Sequence, residues 1–278
     1  MSHSTKTLIY DDACPLCRGY SKVFVNAGLI ETEGRKSFDS AQPAFLEIVD
    51  LERSVDEIPF VDLSTKKVWY GVDALLEIVG SRFSLVKKCG HLRPVKWLLW
   101  KAYRLISYNR RLILAVNSNP TGYDCAPTFN LRYRVAFLAI FLVINTILLI
   151  PLHRFVLQAG FFSHTSLPGV VGVHSAVVLV NCMVAILLGE RHGTIYLGQI
   201  NMLAVSCLLL FMPLVLFNML TGYCNADIND GVALAIFFLM LREYRRRMKY
   251  AEILTAYPLV AIVNAISILA MLQFLLSN

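Results

Sequence analysis

Four long apolar stretches occupy the second half of the chain, at 135–152, 169–189, 195–217 and 253–276. Each approaches the ~20 residues that a helix needs to cross ~30 Å of hydrocarbon. A fifth, 231–241, offers eleven apolar residues before Arg242 and on its own reads as a buried or interfacial segment. Runs of this length exclude an ordinary soluble domain. Composition agrees: 56% of the 278 residues are hydrophobic and 16% charged, against about 45–50% and about 25% in average globular proteins. Disordered chains, collagen-like chains and purely cytosolic enzymes are excluded on the same ground.

The charges give an expected topology. Lys and Arg concentrate on cytoplasmic loops. Arg132 and Arg134 precede the first stretch, Glu190-Arg191-His192 joins the second and third, and residues 242–249 hold five basic groups. If 231–241 crosses, every basic loop falls on one side. This predicts an all-α transmembrane helix bundle of five spans, or four if 231–241 stays out. The head would be cytoplasmic and the C-terminus outside, in a bacterial inner membrane. No secretory signal is expected before the head, since Thr7 to Tyr10 is too short for an apolar signal core.

Upstream, residues 1–77 carry net charge −5, while 78–123 hold nine Lys or Arg and no acid. Such a block suits an anionic membrane surface or nucleic acid. With apolar stretches following at once, membrane lipids are the expected partner and nucleic acid is not. Within it, Val95, Leu98, Leu99, Ala102, Leu105, Ile106, Leu112 and Ile113 recur at helical spacing behind Pro94. Lys96, Lys101, Arg104, Arg110 and Arg111 fall opposite, interleaved with Trp97, Trp100, Tyr103 and Tyr108. This predicts a helix lying in the headgroup region; the other reading is an amphipathic helix packed on the head. Asn117 to Gly122 reads as a loop. The expected division is a head over 1–92, an amphipathic helix and linker over 93–130, and a membrane region over 131–278.

The head contains Asp11-Asp12-Ala13-Cys14-Pro15-Leu16-Cys17. Leu8-Ile9-Tyr10 leads in as a strand, and Leu16, Tyr20, Val23, Phe24 and Ala27 leave on one helical face, with Gly28 as C-terminal cap. Cys14 therefore falls at a helix N-terminus, where the dipole favours thiolate. Cys14 is expected to be the exposed nucleophile; Cys17, one turn on and shielded, is close enough to close a disulfide, and the spacing suits exchange through a mixed disulfide. Asp11 and Asp12 read either as turn and capping residues or, for Asp11, as a proton acceptor for Cys17 or a positioning group. Asp12 adds a negative charge that opposes thiolate at Cys14.

Further along, 36–38 reads as a strand and 43–50 as a short helix. Residues 58–63 and 68–70 form a hairpin, and Val72 to Val79 a helix that Asp73 helps to start. The order β–α–β–α–β–β–α is that of an α/β thioredoxin-like domain. In that fold a proline, often cis, faces the cysteines; Pro59 has the matching position, though it also suits a plain strand start.

The Asp11-x-x-Cys14-x-x-Cys17 signature and the later Tyr70-Gly71-Val72-Asp73-Ala74-Leu75 resemble the DCC family of thiol–disulfide oxidoreductases. The resemblance covers about residues 7–115, including Tyr108-Asn109-Arg110-Arg111. It implies roles for Asp11, Cys14 and Cys17 in redox chemistry. The family's usual Gly after the first Asp is replaced by Asp12, and the membrane region lies outside the resemblance.

The remaining cysteines have plainer readings. Cys89 and His91 could join Cys14 and Cys17 in a zinc set, but a Cys-x-x-Cys at a strand–helix junction reads as redox, so neither metal nor cofactor is expected. Cys125 reads as a loop thiol. Cys182, Cys207 and Cys224 read as apolar fillers or, less simply, as an electron relay. Asn145, His174, Asn181, Gln199, Asn201, Asn218 and Asn264 are expected to hydrogen-bond between helices, with a quinone or proton step as the other reading for His174. The expected function is membrane-anchored thiol–disulfide exchange with a disulfide-containing protein or small thiol: Cys14 attacks, Cys17 resolves and Pro59 shapes the docking strand. The alternative is a membrane carrier or assembly factor whose head senses redox state or binds a partner. Oligomeric state is not legible.

Overall fold

The computed structural model describes residues 6–115 and 126–277. Cys125 and the expected loop at 117–122 lie outside them. The chain divides into two compact units, Met1–Arg134 and Val135–Asn278.

The first unit is built on a four-stranded sheet of order β2-β1-β3-β4. Strand β1 (Lys6–Tyr10) runs parallel to β2 (Arg35–Ser37) and antiparallel to β3 (Pro59–Asp62), which pairs with β4 (Lys67–Tyr70). Leu8 and Ile9 on β1 point to opposite faces, as strand geometry requires, and both are fully buried. Leu8 packs with Ile30, Ile58, Phe60, Ala74 and Ile78 on one face, and Ile9 with Phe38, Phe45, Val49 and Val61 on the other. Burying each such side chain is worth about 1.5–3 kcal/mol, so the sheet is held from both sides.

Helix α1 (Pro15–Asn26) follows β1 and ends before Gly28, at φ +65°. The helix expected over 43–50 is instead two single turns, α2 (Pro43–Leu46) and α3 (Leu51–Ser54). Asp50 separates them by accepting from the Arg53 N–H at 3.0 Å as an N-cap. Helix α4 (Gly71–Gly80) carries Asp73 in its first turn, followed by α5 (Ser84–Gly90) and α6 (Arg93–Ile113).

Helix α6 departs from the expected layout. One side is bonded to the loop before β3: the Tyr103 hydroxyl accepts from Ile58 N–H at 2.9 Å, Ser107 donates to the Asp56 carbonyl, and Arg110 donates to the Val55 carbonyl at 3.0 Å. Ser107 and Arg110 are buried and Tyr103 half-buried, and backbone groups partner all three, so α6 packs on the head rather than merely lying along a surface. Its far side still exposes Trp97 and Leu98, each 62% accessible.

In the second unit the helices are long: α7 (Leu131–Phe155, begun in the first unit), α8 (Leu167–Thr221), α9 (Ala226–Tyr250), the short α10 (Ile253–Ala256) and α11 (Leu259–Ser277). The expected fold class, a thioredoxin-like head with a bundle of five or four spans, is corrected here. The chain is a small mixed β-sheet and helix unit followed by long helices. Among the described residues, two helical segments, Leu131–Ala159 and Leu167–Thr221, are long and apolar enough to cross a membrane. The 169–189 and 195–217 stretches fall on either side of a break within α8, and 190–192 is helical rather than a loop. That element bends at Gly189, whose φ of +79° breaks the helix, and Tyr196 beyond the bend meets Asn181 before it. In the last stretch Pro258 lacks an N–H and interrupts the helix, leaving the shorter apolar segment Leu259–Phe274. Residues 231–241 sit inside α9 between Asp227 and Asp230 at one end and the 242–249 basic cluster at the other. The orientation deduced from five spans loses its basis with the count.

The apolar windows of the two long segments are only 17% and 28% buried within the chain. Their side chains face outward, unlike those of a soluble core helix. Polar side chains inside this unit bridge elements, as Asn145 to Asn201, Asn218 to Asn229 and Asn264 to Tyr244 illustrate. Gln199 accepts from Arg247 at 3.0 Å, and His174 meets the Thr146 hydroxyl at 3.3 Å.

Candidate functional site

The turn between β1 and α1 is shaped by Asp11. Its side chain accepts from Ala13 N–H at 2.9 Å, and its carbonyl accepts from Cys14 N–H at 3.3 Å. This is an Asx-type turn. It leaves Cys14 as the residue before the helix, in extended conformation at φ −100°, with Pro15 opening α1. Proline suits that place because the first helical N–H has no intrahelical partner.

Cys14 and Cys17 are both free thiols and both buried, at 8% and 4% accessibility, so Cys14 is not the exposed nucleophile expected. Hydrogen bonding from the Cys17 thiol to a Cys14 thiolate is the main reason the Cys14 pKa falls from 9.0 to about 6. Burial opposes the fall; the Cys17 N–H and the Arg110 charge assist it, and Asp11 opposes it weakly. Cys17 moves the other way, because it must give up the proton shared with Cys14 and because it is buried. One sulfur is a thiolate near neutral pH while its neighbour keeps its proton. Exchange needs that asymmetry: a nucleophile, and a second thiol held in reserve.

Arg110 completes the site. Only 7% accessible, it stands 3.8 Å from the Asp11 carboxylate while donating to Val55. Sequence reading set Arg110 on the polar side of an interfacial helix; the structure turns it inward to the cysteines. The one signal was the Tyr108–Arg111 segment already singled out at the end of the resemblance. Asp12 is exposed, and the acid opposing the Cys14 thiolate is Asp11.

Pro59 is the first residue of β3, buried and paired with Tyr70. The expected cis bond is absent: no cis peptide occurs among the described residues, so Pro59 stands as a strand-start proline. Its neighbour Ile58 lines a cavity of about 520 Å³ beside α1, α4 and α6. Cys17, Tyr20, Tyr103, Ser107 and Arg110 also line it, and the other walls are apolar.

Among the described residues no group of three or more His, Cys, Asp or Glu side chains is placed to hold a metal. Cys89 is an exposed free thiol in α5, with His91 just past that helix. Cys182 and Cys207 are partly buried free thiols along α8. Cys224 is an exposed free thiol that donates to the Phe155 carbonyl at 3.4 Å. Comparison with protein-family models, with curated proteins and with solved structures finds no match to this chain.

Proposed function

We propose that this chain is a thiol–disulfide oxidoreductase held at a membrane by its long apolar helices. The observation carrying the reading is a pair of buried free thiols, Cys14 and Cys17, at a helix entrance, where Cys17 favours the thiolate of Cys14. Cys14 attacks a disulfide sulfur of the substrate; a mixed disulfide forms and the substrate's other sulfur leaves as thiolate. Cys17 then gives up its proton and attacks Cys14, closing the Cys14–Cys17 disulfide and releasing the second substrate thiol. Asp11 and Arg110 are positioning residues: the first shapes the turn, and the second supplies the fixed positive charge. The resemblance of the Asp11-x-x-Cys14-x-x-Cys17 pattern to the DCC family supports the same chemistry. A disulfide-containing protein or small disulfide is the substrate class. Membrane association rests on the two outward-facing apolar segments.

The test uses the full chain in detergent with glutathione disulfide. Cys17→Ser is expected to accumulate a mixed disulfide at Cys14, located by mass spectrometry, because nothing resolves it. Cys14→Ser is expected to form none at Cys17. Equal labelling of both positions, or none of either, refutes the assignment.

A further inference from the structure

The cavity beside the cysteines is not needed for attack by Cys14, which does not line it. At about 520 Å³ it falls within the ~300–1,000 Å³ of small-molecule sites. Phe24, Val72, Leu75, Val79 and Ala102 give it apolar walls, and Cys17 brings a redox-active sulfur to it. Val86, Leu99 and Ile106 line it and are themselves exposed, so it opens to the outside between α5 and α6. The same two helices expose Leu85, Trp97 and Leu98 together with Lys88, Arg93 and Lys101. Residues 78–123 hold no acid. An apolar surface carrying only positive charge complements an anionic bilayer.

The chemistry of the walls restricts the occupant. Arg110 is committed to Asp11 and the Val55 carbonyl, so the cavity favours an uncharged apolar molecule. Contact with a thiol of a two-electron pair favours one that takes two electrons with two protons and stays neutral in both forms. We propose that the cavity takes a lipid-soluble quinone arriving from the bilayer, and that it oxidises the Cys14–Cys17 pair through Cys17. This rests on the reading of that pair as an exchange dithiol.

Cys17 passes its proton to Cys14, and its sulfur adds to a ring carbon, forming a C–S bond and leaving an oxyanion on the ring. That oxygen takes the proton from Cys14. The restored Cys14 thiolate attacks Cys17 Sγ; the S–S bond forms and the C–S bond breaks. The electron pair stays on the ring, which takes one proton from solvent and leaves as hydroquinone. Thiolate, thiol, quinone and one proton give disulfide and hydroquinone. Tyr103, whose hydroxyl oxygen accepts from Ile58 N–H, keeps its own proton to donate to a quinone carbonyl.

The experiment mixes the reduced full chain in detergent with decylubiquinone, whose fully substituted ring forms no lasting thioether. Hydroquinone is read by absorbance and the Cys14–Cys17 disulfide by mass spectrometry, with glutathione disulfide as oxidant in parallel. Saturable quinone reduction is expected. Ala102→Phe, which fills the cavity, and Leu99→Arg, which puts a charge at its mouth, are each expected to lower the ratio of quinone to glutathione-disulfide turnover at least tenfold. Turnover of glutathione disulfide without quinone reduction overturns the quinone assignment alone. Failure of both oxidants overturns the exchange reading as well. Quinone reduction with the ratio unchanged in both variants also overturns the cavity as its site.

Discussion

Replacing Cys17 by Ala removes the largest influence holding the Cys14 thiolate. The full displacement, from 9.0 to about 6, corresponds to about 4 kcal/mol favouring thiolate over thiol at ~1.36 kcal/mol per unit. At pH 7 a thiol of pKa 6 is about 90% ionised and one of pKa 9 about 1%. The rate at a single pH understates this, because intrinsic nucleophilicity falls with pKa: a Brønsted slope of ~0.45 over that interval costs about twentyfold, leaving only about a fourfold net advantage. The sharp observable is the titration midpoint. Iodoacetamide labelling of the reduced full chain, followed on the Cys14 peptide by mass spectrometry from pH 4.5 to 10, is expected to show a midpoint near 6. In Cys17→Ala the midpoint is expected to rise by at least one unit. A wild-type midpoint above about 8, or no rise in the variant, refutes the shared-proton account.

Asp11→Asn and Arg110→Gln are expected to move that midpoint in opposite directions. Removing the acid lowers it, with Asn keeping an acceptor for Ala13 N–H, and removing the cation raises it; the same labelling titration reads both signs. Stability is linked through the same shift. A thiol whose folded pKa is depressed adds stability that is full above the unfolded value of 9.0 and lost as pH falls through about 6. Thermal unfolding of the reduced chain, compared with Cys14→Ser, should therefore show a difference growing from pH 6 to 9 and flat below. Tyr103→Phe strips the Ile58 N–H of its acceptor and is expected to cost about 1–3 kcal/mol, seen as a lower melting temperature of the first unit. Gly71→Ala is expected to cost at least about 1–2 kcal/mol, because φ there is +54° and the new Cβ would stand 3.2 Å from Tyr103 Cε1; the same melt measures it.

Much of the first unit was legible because its signals are local. Short β-rich runs marked β1, β3 and β4, and a strand leading into Cys14 with a helical face leading out of it marked the helix entrance. Asp50 was harder to read: inside an apolar run it looks like one more helical residue, yet its side chain caps a new turn. Arg110 was misread because its neighbours in sequence, Lys101, Arg104 and Arg111, make a basic face on which one more cation is unremarkable. Only the approach of α6 to the β1–α1 turn distinguishes it. The span count failed because apolar length is not helical continuity: Pro258 cuts one stretch to a shorter helix, and residues 231–241 belong to a longer helix whose ends carry charge. The Pro59 position matched an expected spacing, but spacing does not determine the isomer of a peptide bond.

The exchange chemistry proposed for this chain requires Cys14 and Cys17 to form one reversible redox couple. Its most direct measurement is the thiol–disulfide state of the two residues in the full chain, equilibrated across glutathione or dithiothreitol redox buffers and read by mass spectrometry after acid quench. A two-electron transition is expected, with a Cys14–Cys17 disulfide as its oxidised form. Its midpoint is expected to be more oxidising than about −270 mV, since a stabilised thiolate favours the reduced state. A pair that never closes a disulfide at any buffer potential would contradict that chemistry.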